Sequence, residues 1–470
     1  MWLMKHDGRQ GKVRSRLDLA AIVCLVAGDT AGGFLLPASR PPLSLSFVFW
    51  AGVGLLVVRH AIWPTPTVFT VLWCGVRERL CSPALKRLLA VVVTTRLGVL
   101  ALGLIASMAF PDVFSYSPRF SPHPVENLPV RWDSLWYHSI ARQGYRWDPA
   151  QRGEQQNIAF FPAYPLLMRA GGDIVTVPAK LLRDPDLFGS GSVRVMWGGV
   201  LASIACFTVA MWRLFRLAGL DGADASAGLR ACVLFATYPF ALFFSVPYSE
   251  SLALLALVSV TLAWREGHTA SGLLWGLVLG LTRPNGWTMA AALLTDRLLG
   301  TSHPWKHRAG WIFIAAAPVA GTAMYSAYVH RLTGHALEWA LAQRAWGAVV
   351  RPSWFVVRRW ERVQQEGFAT YLARDPIDWL TLPIVIAMIT IAAWLAAQRQ
   401  WLYAVLMLAY LAPALVIDLP AAGRMTALLF PAFLVLGGRL RGAPFVALAA
   451  IFAVGQAWFA WRFFLWTTPY

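Results

Sequence analysis

The chain has 470 residues, 58% of them hydrophobic and only 14% charged, with a mean hydropathy of +0.55. This excludes an ordinary soluble domain and predicts an all-α polytopic integral membrane protein: apolar runs of about 20 residues fit the hydrocarbon core as helices and lack the alternation of a membrane β-barrel. The net charge of +18, from 41 basic and 23 acidic residues, is read as loop charge that orients helices and meets anionic membrane lipid, not as a nucleic-acid surface.

In chain order, Lys5, Arg9, Lys12, Arg14 and Arg16 precede the first apolar run, 17–37, and predict a retained helix with a cytoplasmic N-terminus; a second span follows at 44–63. After a weaker stretch at 68–76, Arg77, Arg79, Lys86 and Arg87 argue for the cytoplasmic side, so the span 88–110 exits and the loop 111–192 is extracytoplasmic. That loop is too long for a connector. Its Trp, Tyr and Pro content predicts short amphipathic helices folded on the membrane surface.

Further spans are expected at 193–217, 229–247, 249–264, 272–299, 309–330, 378–397, 401–418, 424–440 and 444–466, giving about 11–13 in all. Arg213, Arg216 and Arg230 agree with the orientation. The run 272–299 is interrupted by Arg283-Pro284-Asn285-Gly286, so it is either one kinked span or a pair of helices that turns back. The basic run from Arg297 to Arg308 favours the second, which puts the loop 330–376 on the same face as Asp133. Lysine occurs only at positions 5, 12, 86, 180 and 306, and with abundant Ala, Gly and Trp this suggests a GC-rich bacterial coding sequence, hence a bacterial plasma membrane. Cys24, Cys74, Cys81, Cys206 and Cys232 have no paired or metal-binding spacing and read as small core residues. His123 and His138 lack metal-site spacing, and there is no Walker A loop, so no metal or cofactor is expected.

The segments Arg131-Trp-Asp-Ser-Leu-Trp-Tyr137 with Ala141-Arg-Gln-Gly-Tyr145, Ala159-Phe-Phe-Pro-Ala-Tyr-Pro165, Pro247-Tyr-Ser-Glu-Ser251 and Arg283-Pro-Asn-Gly286 stand in a fixed order along the chain. Together they resemble the PIG-V family of mannosyltransferases, with Gln343-Arg-Ala-Trp346, Gly423-Arg-Met425 and Phe430-Pro431 as weaker later matches. The resemblance covers residues 86–470 and leaves 1–85 as an N-terminal helical extension. It implies a GT-C type glycosyltransferase with its active site in a cavity at the outer leaflet, within the loop 111–192. The implied donor is a polyprenyl-phosphate sugar, in eukaryotic members dolichyl-phosphate-mannose, and the acceptor a glycolipid, glycan or protein, with inversion at the anomeric carbon.

On that reading Asp133 is the base for the acceptor hydroxyl, with Arg131 holding it ionised; the alternative is that Asp133 caps an interfacial helix while Trp132, Trp136 and Tyr137 form an aromatic belt. Arg283 is the clamp for the departing phosphate, or else a structural ion-pair partner. Arg131, Asn285, Tyr248 and Glu250 complete the donor side, although Asn before Gly is also a turn signal and Glu250 also suits a helix start. Trp132, Tyr137, Asn157, Phe161, Tyr164, Gln343 and Arg424 are assigned to the cavity or the acceptor, the Phe160–Pro165 block being mostly packing. Asp112, Asp148 and Glu154 are rival acids, with solvated loop charge as the default. Arg331, Arg344, Arg351, Arg358 and Arg359 either gather anionic lipid or form a solvated basic face. Two other classes fit an intramembrane arginine beside a broken helix: a secondary transporter or flippase of lipid-linked sugars, and a non-catalytic scaffold of a membrane glycosylation complex.

Overall fold

The computed structural model describes residues 82–110, 119–182, 189–300, 309–346, 354–374, 376–417 and 419–467, and Leu88–Tyr470 forms one compact unit. Residues 1–81 of the expected extension, with the spans 17–37 and 44–63, lie outside the described residues, as do Asp112 and Arg351. Among the described residues there is no strand, and five helices are long and apolar enough to cross a membrane: Pro83–Ala109, Gly191–Leu220, Gly310–Thr333, Pro376–Ala397 and Gly442–Phe464. The protein is an integral membrane protein.

Helix α1 (Pro83–Ala109) carries Arg96 near its middle, fully buried. Its guanidinium donates to the carbonyls of Ala236 and Ala241 and to Ser245 Oγ (3.1 Å). These carbonyls belong to a later span that is broken, so Arg96 satisfies backbone groups that lipid could not.

The large loop folds into α2 (Pro124–Asn127), α3 (Ser134–Gln143) and α4 (Ala163–Leu181). Helix α4 lies along α5 (Gly191–Leu220), and the two backbones meet where a Cβ on Gly171 would stand 2.4 Å from the Gly198 carbonyl oxygen. The loop is therefore clamped to a long helix by small residues.

The expected span 229–247 is not one helix. α6 (Ala225–Thr237) stops, a 3-10 turn follows over Pro239–Phe244, and α7 begins only at Glu250 and ends at Glu266. Pro239 and Pro247 remove the donors that a continuous helix needs. The apolar stretch 272–299 turns back: α8 (Thr269–Thr282) runs parallel to α10 (Gly310–Thr333), with Gly272 against Ile314 and Gly276 against Ala317. Between them α9 (Met289–Leu299) returns, bringing Asp296 to Trp264 Nε1 (2.8 Å) at the end of α7. The hairpin turn at 283–288 thus sits at the same end as the start of α7.

After α10, α11 (Glu338–Ala342) packs beside Asn157–Ala159 of the large loop, as expected for a segment on the face of Asp133. Next come α12 (Trp354–Glu366), α13 (Phe368–Arg374), α14 (Pro376–Ala397) and α15 (Trp401–Ile417). The expected span 424–440 is also divided, into the end of α16 (Leu419–Thr426) and α17 (Phe430–Arg439); α18 (Gly442–Phe464) closes the unit. Pro431 in the first turn of α17 lacks the donor that would continue the preceding helix.

Candidate active site

Three of the helix interruptions described above meet at one end of the assembly. Ser249 and Glu250 start α7 after Pro247, where a carboxylate suits the positive end of the helix dipole. Arg283 is extended (φ −149°, ψ 150°) between α8 and the turn, as Pro284 requires of the residue before it. Gly286 permits that turn, since a Cβ there would stand 2.4 Å from the Leu279 carbonyl oxygen. Arg424 projects from the short helix α16, whose Gly423 is pressed against the Phe240 ring. Asp133 follows Trp132, a non-glycine residue with φ +48°. That strained backbone is held from both sides: Trp132 Nε1 donates to the Phe463 carbonyl (3.3 Å) and Asp133 N–H donates to Tyr248 Oη (3.1 Å).

The four charged side chains alternate in sign. Asp133 Oδ2 accepts from Arg424 Nη1 (2.8 Å), Arg424 Nε contacts Glu250 Oε1, and the same oxygen lies 2.7 Å from Arg283 Nη1. Glu250 is wholly buried, and both arginine side chains are 11% exposed; Asp133 is the most open of the four at 18%. The Arg424 guanidinium also rests 4.7 Å from the Tyr248 ring centroid and 5.1 Å from that of Phe243. Ser249 Oγ accepts from Tyr137 Oη (2.9 Å) and from Arg283 Nη1 (3.3 Å). Glu250 Oε2 and Arg283 Nε are buried without a partner. Burial first, then the Glu250 charge, pushes the Tyr137 hydroxyl up to about 12. It is therefore a neutral donor at physiological pH.

Several assignments change. The ion pair seen for Asp133 is with Arg424, and the hydrogen bonds seen for Arg131 go elsewhere. Arg131 is buried, donating to the carbonyls of Asn127 (2.8 Å), Val130 (2.7 Å) and Phe464 (3.0 Å) and to Ser107 Oγ (3.3 Å), and burial lowers it to about 9. Arg424, assigned from the sequence to the cavity or acceptor, supplies the cation beside Asp133. Asp133 does not use its side chain as a helix cap. Asn157 staples the loop, donating to the Gly144 carbonyl (3.1 Å) and accepting from Arg146 N–H (3.1 Å). Gln343 donates to the Ala159 carbonyl (2.8 Å). Phe161 is packed among Tyr325, Val329 and Trp339, and Tyr164 Oη is tied to the Gly199 carbonyl and Ser203. All four therefore make contacts within the protein that tie the loop and its neighbouring helices together. Asn285 Nδ2 reaches Met425 Sδ at 3.7 Å, beside Arg283. Of the rival acids, Asp148 accepts from Ala150 N–H as a turn cap, and Glu154 is exposed.

In the later loop, Arg359 is bidentate to Asp378 (2.6 and 3.1 Å), so it belongs to no free basic face; Arg331 is exposed. Unforeseen from sequence, Glu338 is buried and takes a bidentate contact from Arg152 (2.9 Å each), tying the later loop to the first. Ser249, within the Pro247–Ser251 segment, was given no role from the sequence, yet it links Tyr137 to Arg283. Among the described residues no three His, Cys, Asp or Glu side chains gather as a metal-holding group. His138, held near 4 by burial and then by Arg142, stacks on Phe120 with its ring centroid 4.6 Å away. Asp184-Pro185-Asp186 is an Asp-x-Asp pattern, so the expectation that no metal is used cannot rest on the lack of one; it lies outside the described residues.

Fold and site together define an all-helical integral membrane protein with an interlocked acid–arginine cluster at one end of the assembly. The family described as Mannosyltransferase (PIG-V) matches residues 87–300, a stretch that contains all four of the ordered segments that carry the resemblance. Mouse GPI alpha-1,6-mannosyltransferase 2 is 28% identical over 246 residues, 48% of this chain and 47% of that protein; the rat protein is 29% identical over 235 residues, 47% and 44%. The chain spans about half the length of these curated relatives. Among solved structures, the crystal structure of the Archaeoglobus fulgidus oligosaccharyltransferase with zinc and sulfate aligns with a TM-score of 0.42 at 16% identity, covering 78% of this chain and 52% of that one.

Proposed function

We infer that the protein is a GT-C type mannosyltransferase of the bacterial plasma membrane. It takes mannose from a polyprenyl-phosphate-mannose donor and transfers it, with inversion, to an extracytoplasmic glycolipid, glycan or protein. The observation that carries this reading is the Asp133–Arg424–Glu250–Arg283 chain: it joins one partly open carboxylate to two guanidinium groups backed by a buried acid, and Asp133, Glu250 and Arg283 lie within the stretch matched by the mannosyltransferase family while Arg424 lies outside it. In the transfer, Asp133 takes the proton of the acceptor hydroxyl while that oxygen bonds to the anomeric carbon. The bond from that carbon to the phosphate oxygen breaks, and its electron pair leaves on the lipid phosphate.

Arg283 and Arg424 stabilise the charge gained by the phosphate, and Glu250 fixes both so that no reorganisation is needed at that moment. On this reading the guanidinium groups supply that charge stabilisation. The basic residues at the opposite end, among them Arg213, Arg216, Arg265 and Arg439, support a cytoplasmic placement of that end and an extracytoplasmic site.

The test is transfer of labelled mannose from synthetic polyprenyl-phosphate-mannose in proteoliposomes by wild type and Asp133→Asn. Wild type transfers and Asp133→Asn loses about 10²- to 10⁴-fold. No transfer by wild type, or full transfer by Asp133→Asn, removes the reading or its base.

A further inference from the structure

The cluster holds two carboxylates and two guanidinium groups, so its charges already cancel before any donor arrives. A phosphodiester brings one more negative charge to a cluster whose two guanidinium groups are both already paired with carboxylates. Either it stays weakly bound, or it takes a guanidinium face from one of the carboxylates. The two carboxylates are not equally held. Glu250 is wholly buried and bridges both arginines through one oxygen, whereas the Asp133 side chain is 18% exposed and has Arg424 as its hydrogen-bond partner.

Arg424 is itself fixed in place independently of Asp133, through Glu250 and by stacking over Tyr248 and Phe243. Its Nη1 therefore stays where it is when its present partner leaves. Asp133 in turn is anchored by its backbone N–H on Tyr248 Oη, so the carboxylate swings without the loop moving.

We propose that Arg424 is an exchange clamp: the phosphate of the lipid-linked sugar takes over the guanidinium face now held by Asp133, and so releases that carboxylate for the acceptor hydroxyl. This rests on the mannosyltransfer reading and deepens it. Donor binding then precedes base release, so the carboxylate is free only when a sugar is in place. Asp133 and the lipid phosphate compete for one cation, and removing the Asp133 charge strengthens phosphate binding even as it stops transfer. Arg424 acts on both: it holds the leaving phosphate, and it positions Asp133 in the empty enzyme.

The experiment measures binding of farnesyl phosphate, a short lipid phosphate without sugar, to purified wild type, Asp133→Asn, Asp133→Ser and Arg424→Gln. Transfer and thermal unfolding are followed in parallel. The expected result is about five- to tenfold tighter binding by both Asp133 variants, with transfer lost, and weaker binding by Arg424→Gln. Two substitutions at 133 guard against one that fails to fold. Binding by folded Asp133 variants that is unchanged or weaker, in a preparation whose wild type transfers mannose, overturns the clamp and leaves the enzyme reading standing. A wild type that neither binds farnesyl phosphate nor transfers mannose removes both.

Discussion

At the end of the assembly that carries Asp133, the ion pairs form a continuous chain of four side chains that are at most 18% exposed. At the opposite end the same residue types form separate pairs, Arg216 with Glu266 (2.7 Å) and Arg265 with Asp221 (2.8 Å), whose arginines are 44% and 38% exposed. The distances match, but the surroundings do not. Exposed pairs are screened by water and contribute little, whereas a buried chain has strong mutual attraction set against a heavy desolvation cost, so losing one member strands the others. The backbone differs in the same sense: helix ends broken by Pro and Gly converge on the first end, where side chains and not helix bonds hold the chain in shape.

The sharpest way to break this contrast is Glu250→Gln, which leaves two buried guanidinium groups without their shared acid. It is expected to cost about 3–5 kcal/mol of stability and to abolish transfer, and thermal unfolding in detergent measures it. Next, Asp133→Asn is expected to unfold within a few degrees of wild type while losing transfer, because a partly open member of the chain contributes more to chemistry than to packing. Arg283→Lys keeps the charge but loses the planar fork. Transfer falls by about tenfold to a hundredfold, with the fold intact by circular dichroism.

His138 gives a pH-dependent test of the same end. Its folded value, near 4, is depressed below the ordinary 6.5, so the unfolded chain binds more protons between those values. Stability from this group is complete above about pH 6.5 and is lost as pH falls towards 4, and His138→Phe is expected to flatten that part of the stability profile. The smallest effect is at the far end: Arg216→Ala is expected to change stability by under about 1 kcal/mol and to leave transfer unchanged. An effect there as large as that of Glu250→Gln would erase the distinction between the two ends.

Much of this was legible in the chain. Twenty-residue apolar runs place α1, α5, α10, α14 and α18 within a few residues, because hydrophobic length is a local property. The turn-back at Arg283 was readable from Pro284 and Gly286 together with the basic residues that follow. Asp133, Glu250 and Arg283 stand in the ordered segments that carry the family resemblance, and for Asp133 and Arg283 a charge beside or within an apolar run is also costly enough to need a reason. What stayed hidden was the pairing. Arg131 neighbours Asp133 in sequence yet turns towards a carbonyl at the end of α18, and nothing local distinguishes it from Arg424, which lies 291 residues beyond Asp133 and reaches its carboxylate. Asn157, Gln343 and Tyr164 are polar residues in suggestive segments, but the hydrogen bonds seen for them go to backbone groups far along the chain and, for Tyr164, to Ser203 as well. Glu338 was missed because its partner, Arg152, lies 186 residues away.

By itself the sequence determined the membrane class, the length and placement of the long helices, and which acidic and basic residues stand at their interruptions. These follow from hydrophobic transfer and from the stereochemistry of Pro and Gly, which act within a few residues. Only the tertiary structure decided that Asp133 answers to Arg424, that Glu250 serves two arginines, and that Arg131 binds backbone carbonyls. Ion pairing depends on which helix ends stack together, and stacking is settled by side chains far apart in the chain.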